Sequence, residues 1–256
     1  MDSLSYIDII AQMTTSKKRT RVQKQYGESM GINNMEHMKK YKAVVFDMGG
    51  TLMEYEGMPM NWSGYYRQGF ERVAQINGLD LSDEAFEKAC EVMRSFNPRF
   101  SGRTVEIEPE TIFSKSMESW EEHLNLEKAI SAFFSGLDLK PRIYGYTPKL
   151  LAKCKELNMK VACLTDLPTG MPDSLFQSVI TDIIKDMDLY VSSSVCGFRK
   201  PCKETLQYAS AHLHIELDEI LFVGDEEKDL RTAENAVCDF MYIDIFLKTY
   251  DIQKEK

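Results

Sequence analysis

Polar residues that can bind a cation or an anion follow four short apolar segments of the chain. In chain order they are Asp47 and Thr51, then Thr165 and Asp166, then Lys200, and finally Asp225, Glu226 and Asp229. Carboxylates suit a hard cation such as Mg²⁺, which takes oxygen ligands, while a lysine and a hydroxyl suit an anion beside that cation. Together these residue types suit phosphoryl transfer, in which positioning and charge neutralisation do most of the work. An aspartate can also act as the nucleophile.

The elements that must position these residues are buried strands. The sequence predicts strands over residues 42–47, 160–165, 189–193, 220–225 and 240–243. Between and after them it predicts helices over residues 148–157, 174–185, 201–213 and 228–237. Continuous apolar runs are typical of parallel strands covered on both faces, and alternation of strand and helix predicts a parallel sheet. Open sheets of this kind bind ligands at the carboxyl ends of their strands, so we expect the polar residues to meet at one edge.

A helical block separates the first predicted strand from the rest. Residues 60–137 have helix-like periodicity, with helices predicted over 65–76, 82–96 and 109–124. Ser82 and Asp83 are suited to capping the second helix, and Pro109 suits the first turn of the third. Strand signals are nearly absent from this block, which we therefore interpret as an insertion into an α/β domain.

Composition limits the function classes of this 256-residue chain. Its longest apolar runs are far shorter than the roughly 20 residues of a membrane span, so no membrane partner is expected. The net charge of −9 disfavours nucleic acid as a partner. Six dispersed cysteines without a C-x-x-C pair, and the lack of a secretory signal in residues 1–13, favour a cytoplasmic protein.

The first 40 residues differ from the rest in composition. A basic cluster spans residues 17–24, and residues 3–13 have the pattern of a short amphipathic helix. We interpret this segment as a flexible or loosely docked extension, the alternative being an arm that binds nucleic acid or a partner.

Taken in order at predicted strand ends, the polar residues resemble the four motifs of the haloacid dehalogenase-like hydrolase superfamily. The motifs here are Asp47-Met-Gly-Gly-Thr51-Leu52, Thr165, Lys200-Pro201 and Gly224-Asp225-x-x-x-Asp229. The resemblance covers residues 42–243 and implies an α/β fold, a Rossmann-like parallel sheet core with an inserted helical cap. We therefore expect an N-terminal extension (1–40), a core (41–57 and 141–250) and a cap (58–140) that closes over the site and selects the substrate.

The resemblance also implies a role for each motif residue. Asp47 would form an aspartyl-phosphate, Thr165 would hydrogen-bond a phosphoryl oxygen, and Lys200 would neutralise charge. The implied Mg²⁺ ligands are Asp47, the backbone carbonyl of Gly49, Asp225, Glu226 and Asp229, with orientation of Lys200 as an alternative role for Asp229. The expected substrate contacts are Thr51, Thr165, Asp166 and Lys200. The activity implied is Mg²⁺-dependent hydrolysis of a small phosphorylated metabolite.

The first motif departs from the family pattern at Gly49. The usual motif is Asp-x-Asp-Gly-Thr, and the second Asp is the general acid and base of the family's phosphatases. General acid–base catalysis typically contributes about 10²–10⁴-fold, so its loss predicts slower ester hydrolysis and a preference for good leaving groups. The acid role would then fall to water, to the substrate or to a cap residue.

Two other hypotheses stay open because of this departure. Phosphonate-cleaving relatives carry a small residue at the position of Gly49 and use a cap lysine, for which Lys88, Lys115 and Lys128 are candidates. Alternatively, the chain is a catalytically weak phosphate-binding or regulatory protein. Dehalogenating relatives dispense with the metal, and the acidic segment 224–229 argues against that activity.

Several insertion residues have two interpretations. Four residues belong either to the core of the cap or to its substrate contacts, namely Trp62, Tyr65, Tyr66 and Arg67. Arg99 and Arg103 either lie in a solvated loop or reach a second anionic group of the substrate.

Overall fold

The computed structural model of the chain describes residues 40–120 and 124–254. In these residues the strands are β1 (Ala43–Phe46), β2 (Met53–Tyr55), β3 (Pro141–Ile143), β4 (Lys160–Thr165), β5 (Leu189–Ser192), β6 (Ile220–Gly224) and β7 (Asp239–Tyr242). Five of them form one sheet in the order β5-β4-β1-β6-β7, and all its neighbouring pairs are parallel. This arrangement is the predicted Rossmann-like α/β core, with every predicted strand in it.

The position of β1 at the centre of the sheet explains why its sequence is continuously apolar. All four residues of β1 are buried, and Val45 lies opposite Ala162 of β4 and Phe222 of β6. Val44 and Phe46 pack into the apolar cluster on one face of the sheet, whereas Val45 packs into the cluster on the other face. Because successive side chains of a strand point to opposite faces, both faces need apolar residues.

Helices cover both faces of the sheet and fill the insertion. Those of the insertion are α1 (Tyr66–Asn77), α2 (Asp83–Phe96), α3 (Pro98–Ser101), α4 (Pro109–Ser116) and α5 (Leu126–Gly136). Those that follow are α6 (Thr147–Glu156), α7 (Asp173–Ile184), α8 (Ser193–Cys196), α9 (Glu204–Leu213), α10 (Glu227–Ala236) and α11 (Ile243–Thr249). Short 3-10 helices occupy Trp62–Tyr65 and Leu217–Glu219.

The inserted helices pack around aromatic rings. Phe133 of α5 lies 5.0 Å from the ring centroid of Phe70 and 5.1 Å from that of Phe113, both in edge-to-face geometry. A Cβ added at Gly69 would lie 2.5 Å from the Phe133 ring, so glycine permits this close approach of α1 and α5. The Ser82 side chain caps α2, as predicted. The aromatic rings hold the inserted helices to one another, and their cluster is continuous with the apolar residues on one face of the sheet.

The structure differs from the prediction at the two edges of the insertion and in its third helix. The helix predicted over 109–124 ends at Ser116 in α4, and a turn then carries Trp120 into the aromatic core against Phe70. Strands β2 and β3 were not predicted, and they pair antiparallel where the chain enters and leaves the insertion. Three residues are too few for alternation to be visible in a sequence.

Within 40–120 and 124–254, no helix is long and apolar enough to cross a membrane. The six cysteines carry free thiols. The amphipathic helix predicted over residues 3–13, with most of the predicted extension, lies outside the described residues.

Candidate active site

Asp47 follows β1 directly, and a tight turn then reverses the chain. The Asp47 N–H donates to the Val223 carbonyl at 2.8 Å, so it continues the hydrogen bonding between β1 and β6. The N–H groups of Leu52 and Met53 both donate to the Met48 carbonyl, at 2.8 and 3.1 Å. These bonds hold Asp47 at the carboxyl edge of the sheet, where it is buried.

Lys200 is the cation that faces Asp47. Its ammonium group donates to Asp47 Oδ1 at 2.5 Å and to Asp229 Oδ1 at 2.6 Å, and its side chain is fully buried. Although burial lowers it, the two carboxylates hold the pKa of Lys200 well above its usual range. The lysine is therefore charged, and it bridges the loop after β1 and helix α10.

Asp229 lies in the first turn of α10, and both of its oxygens are engaged. Oδ1 faces Lys200, while Oδ2 accepts hydrogen bonds from the N–H of Asp225 at 3.2 Å and of Glu226 at 2.9 Å. A negative side chain at this position also interacts favourably with the positive end of the helix dipole. Asp229 is fully buried, so these contacts fix its orientation.

Asp225 follows β6 and packs against the loop after β1. A Cβ added at Gly50 would lie 2.2 Å from Asp225 Oδ2, a distance at which atoms overlap, and Gly50 has a φ of +85°. The Thr51 hydroxyl donates to Asp225 Oδ1 at 3.3 Å. The close approach and the positive φ both require glycine at position 50.

Three of these carboxylates form one group. Asp47, Asp225 and Asp229 each place an oxygen within 4.8 Å of the other two. Burial raises the pKa of Asp47 to about 7 against the opposing effect of Lys200, and Asp229 adds to the rise. Burial, together with Asp229 and Glu226, raises the pKa of Asp225 to about 6. Three carboxylates face one ammonium group, and this excess of negative charge suits a divalent cation with oxygen ligands.

Thr165 and Asp166 end β4 beside the carboxylate group. Thr165 is buried and lines the cavity described below. Asp166 Oδ1 accepts from the Lys200 N–H at 3.0 Å, and Oδ2 lies 3.5 Å from the Lys228 ammonium. Burial raises the pKa of Asp166, but Arg199, Lys228 and Lys200 together lower it below its ordinary value. Asp166 is thus an ionised carboxylate that holds the lysine loop in place.

A cavity of about 430 Å³ opens between these loops and the inserted helices. Asp47, Gly49, Thr165, Asp166 and Lys200 line it from the sheet edge. At Gly49, an added Cβ would meet no atom within 4 Å. The position that carries the second aspartate of the family motif is therefore open space in this chain.

Two predicted site residues have other contacts. Thr51 is fully buried, and its hydroxyl hydrogen-bonds Asp225, so the structure does not bring it to the cavity as a substrate contact. The Glu226 carboxylate is outside the three-aspartate group, since it pairs with Arg99 at 2.9 Å and Lys228 at 3.0 Å. In both cases a nearer partner within the protein engages the side chain.

The insertion contributes a second wall to the cavity. Its residues there include Trp62, Tyr66, Arg99 and Arg103, whereas Tyr65 is not among them. The candidate lysines for phosphonate cleavage are all exposed and do not line the cavity. They are Lys88, Lys115 and Lys128.

Sequence reasoning missed three charged residues near the cavity. Arg199 and Lys228 line it, and Glu106 pairs with Arg199. A signal for Lys228 was present, because it stands one residue before Asp229 in the fourth motif. Glu106 lies 93 positions from Arg199, and no local pattern marks such a pair.

Comparison with known proteins adds three findings. A family model described as a haloacid dehalogenase-like hydrolase matches residues 41–236. A search of curated proteins finds no significant match. The structure is similar to the HAD phosphatase from Thermococcus onnurineus, with 17% identity, a TM-score of 0.55, and coverage of 84% of this chain and 100% of that one. It is also similar to CbbY from Rhodobacter sphaeroides in complex with phosphate, with 15% identity, a TM-score of 0.49, and coverage of 79% and 85%.

Proposed function

The chain belongs to the haloacid dehalogenase-like hydrolases, and from that premise we propose that it is a Mg²⁺-dependent phosphatase of a small phosphorylated metabolite. One observation carries the proposal. Lys200 is buried between Asp47 and Asp229, beside Asp225, and both Asp47 and Lys200 line a cavity. A nucleophilic carboxylate, a cation and further carboxylates at one point are the groups that phosphoryl transfer needs.

The carboxylate group is the proposed metal site. Asp47, Asp225 and Asp229 would hold Mg²⁺ with the backbone carbonyl of Gly49. Burial raises the pKa values of Asp47 and Asp225, and the neighbouring carboxylates add to the rise. A divalent cation would offset the repulsion among these carboxylates, which supports the proposed site. When bound, Mg²⁺ supplies positive charge that stabilises the phosphoryl oxygens and the approach of an anionic nucleophile.

In the first step, a carboxylate oxygen of Asp47 attacks phosphorus. A bond forms between that oxygen and phosphorus while the ester P–O bond breaks, and the leaving oxygen departs with the bonding electron pair. Lys200 contacts Asp47 and compensates the charge of the phosphoryl group. Thr165 lines the same cavity, from which its hydroxyl would donate to a phosphoryl oxygen.

In the second step, water attacks the aspartyl-phosphate, the P–O bond to Asp47 breaks, and phosphate leaves. Gly49 supplies neither an acid for the leaving group in the first step nor a base for the water in the second. The leaving oxygen therefore takes its proton from solvent, and esters with acidic leaving groups should react best.

We also propose the division of the chain into an extension (1–40), a core (41–57 and 141–250) and a cap (58–140). The ring contacts among the inserted helices support treating these helices as one unit, the cap. The cavity is lined from both sides, by Asp47 and Thr165 from the core and by Trp62 and Arg99 from the cap. Substrate selection by the cap follows from this arrangement.

The open space at Gly49 favours a second candidate, a phosphate-binding protein with negligible turnover. A protein of this kind needs the phosphate contacts but no general acid. The hypothesis of phosphonate cleavage has less support, because Lys88, Lys115 and Lys128 do not line the cavity.

Phosphate release from a panel of phosphomonoesters and phosphonates, with and without Mg²⁺, tests the proposal. We expect release from aryl and other activated esters that requires Mg²⁺ and is lost in Asp47→Asn. The matched control is Asp182→Asn, because Asp182 is a highly exposed carboxylate of α7 that pairs with Lys185. Binding of phosphate without turnover by the wild type would instead favour the phosphate-binding protein. Release that survives in Asp47→Asn would contradict the proposed nucleophile.

A further inference from the structure

Two arginines from different parts of the chain share one buried carboxylate beside the cavity. Arg103 lies between α3 and α4 in the insertion, and Arg199 immediately precedes Lys200. Their side chains are only 11% and 6% exposed. Glu106 Oε1 accepts from Arg103 Nη1 at 2.8 Å, and Oε2 accepts from Arg199 Nη1. We call Arg103 and Arg199 the arginine pair.

Glu106 hydrogen-bonds both members of the arginine pair, and Asp166 acts on both of them by charge. The other acceptors of the pair are neutral. Arg103 donates to the Phe96 carbonyl at 2.5 Å and to the Val105 carbonyl at 2.8 Å, and Arg199 donates to the Leu167 carbonyl at 2.8 Å and to the Ser193 hydroxyl at 3.4 Å. Burial and the neighbouring Arg199 lower the pKa of Arg103, and Glu106 offsets this only in part. One carboxylate is therefore the hydrogen-bond acceptor of two guanidinium groups.

Each member of the pair also keeps a buried nitrogen without an acceptor. Among the described residues, Arg103 Nη2 and Arg199 Nε have no hydrogen-bond partner. A buried donor on a charged group is costly when it is left unpaired. Both arginines line the cavity, so an anionic ligand there that draws their side chains toward it would supply the missing acceptors.

Backbone pairing holds the two arginines in position. The Arg199 N–H donates to the Thr104 carbonyl at 2.8 Å, and the Glu106 N–H donates to the Gly197 carbonyl at 3.0 Å. Residues 104–106 of the insertion thus run antiparallel to residues 197–199 of the core. The guanidinium groups are therefore preorganised, and Arg199 is adjacent in sequence to the lysine that faces the proposed nucleophile.

We propose that the arginine pair binds a second oxyanion of the substrate, a carboxylate or a second phosphate, apart from the phosphoryl group that faces Asp47. This inference rests on the proposed function, because it deepens the substrate class of the same cavity. A guanidinium fork matches the geometry of either oxyanion. The substrate is then a small phosphomonoester with two anionic ends.

Binding of three stable phosphonates in Mg²⁺ buffer, measured by calorimetry, tests the inference without requiring turnover. The ligands are propylphosphonate, 3-phosphonopropanoate and ethane-1,2-diphosphonate, which share a two-carbon spacer and differ only in the group at its far end, a methyl, a carboxylate or a second phosphonate. Two of these ligands carry a second anionic group. We expect the wild type to bind one of these two about tenfold or more tightly than propylphosphonate. Whichever of these two ligands binds more tightly shows whether the second oxyanion of the substrate is a carboxylate or a phosphate.

Variants then assign the preference to the pair. Arg103→Gln should lose the preference, and Arg103→Lys, which keeps the charge without the second Nη, should lose part of it. Arg72→Gln is the matched control, since Arg72 is exposed on α1 and bonds Gln75, and it should keep the full preference.

Three results would overturn the inference. Equal affinity of the wild type for all three ligands removes the second oxyanion. A uniform weakening of all three ligands in Arg103→Gln or Arg103→Lys makes Arg103 a structural residue. If none of the ligands binds, the proposed function falls together with the inference, whereas binding without preference overturns the inference alone.

Discussion

At the scale of single residues, the proposed function makes Gly49 the position that limits which leaving groups the site can expel. The family's phosphatases carry an aspartate at this position, and this chain carries no side chain. An added Cβ would meet no atom within 4 Å, and the structure gives Gly49 no positive φ that a side chain would strain. Position 49 therefore has room for the Cβ of an aspartate side chain.

We expect Gly49→Asp to speed phosphate release from alkyl phosphates by about 10²–10⁴-fold, because general acid–base catalysis typically contributes that much. Aryl phosphates should gain much less, since their leaving groups need little protonation. Steady-state rates across a series of esters with graded leaving-group pKa check this, and the dependence should flatten in the variant. Gly49→Asn is the matched control, being of similar size without an acid. An equal gain in Gly49→Asn would show that the effect is one of packing.

At the scale of elements, the turn after β1 fixes the distance between the nucleophile and the loop after β6. Gly50 has a φ of +85°, and its backbone lies against the Asp225 carboxylate. The turn and the loop belong to adjacent parallel strands, β1 and β6, so their contact is a direct consequence of the strand order. A larger residue at position 50 must move Asp225.

We expect Gly50→Ala to lose most Mg²⁺-dependent phosphate release and to unfold at lower urea than the wild type. The added Cβ would lie 2.2 Å from Asp225 Oδ2, which displaces a proposed metal ligand. Gly78→Ala is the matched control, because Gly78 has a φ of +66° at the end of α1 and nothing within 4 Å of its Cβ position. Both variants should share the backbone cost of roughly 1–2 kcal/mol. Equal activities in the two would refute a specific role for the close approach.

At the scale of the whole molecule, local features were predictable and distant pairings were not. The apolar runs of β1, β4 and β6 predicted a parallel sheet, and the positions after them predicted the edge at which Asp47, Lys200 and Asp225 meet. These inferences succeed because a buried strand imposes its pattern on consecutive residues.

Two kinds of contact had no such pattern. Strands β2 and β3 have three residues each and are separated by the whole insertion. The pairing of residues 104–106 with 197–199 depends on how the insertion packs against the core, and Glu106 reaches Ser193 and Arg199 across 87 and 93 positions. Only the three-dimensional packing brings such segments together.

The distribution of charge likewise appears only in the folded molecule. The chain has a net charge of −9, yet the ionised side chains around the cavity are more often cations than anions. The cations are Arg99, Arg103, Arg199, Lys200 and Lys228, and the anions are Asp47, Glu54 and Asp166. The cations on the cavity wall favour an anionic substrate, while the three-aspartate group beside them favours a divalent cation, so the two binding regions are adjacent.

The last prediction concerns the stability of the folded chain in Mg²⁺. A ligand that binds only the folded state raises the free energy of unfolding, by about 2.7 kcal/mol at a concentration of 100 Kd. Urea unfolding in Mg²⁺ and in EDTA should therefore give a higher midpoint in Mg²⁺ for the wild type and for Asp182→Asn.

Asp225→Asn should lose most of that difference, because it removes one of three carboxylates that face one another within 4.8 Å. In EDTA the same variant should be at least as stable as the wild type, since it also removes a desolvated charge that faces Asp229 and Glu226. A metal ligand is indicated if Asp225→Asn is less stable than the wild type in Mg²⁺ but at least as stable in EDTA. A residue that only packs would change the stability in the same direction in both buffers. A wild-type midpoint that is the same in Mg²⁺ and EDTA would mean that the carboxylate group binds no Mg²⁺.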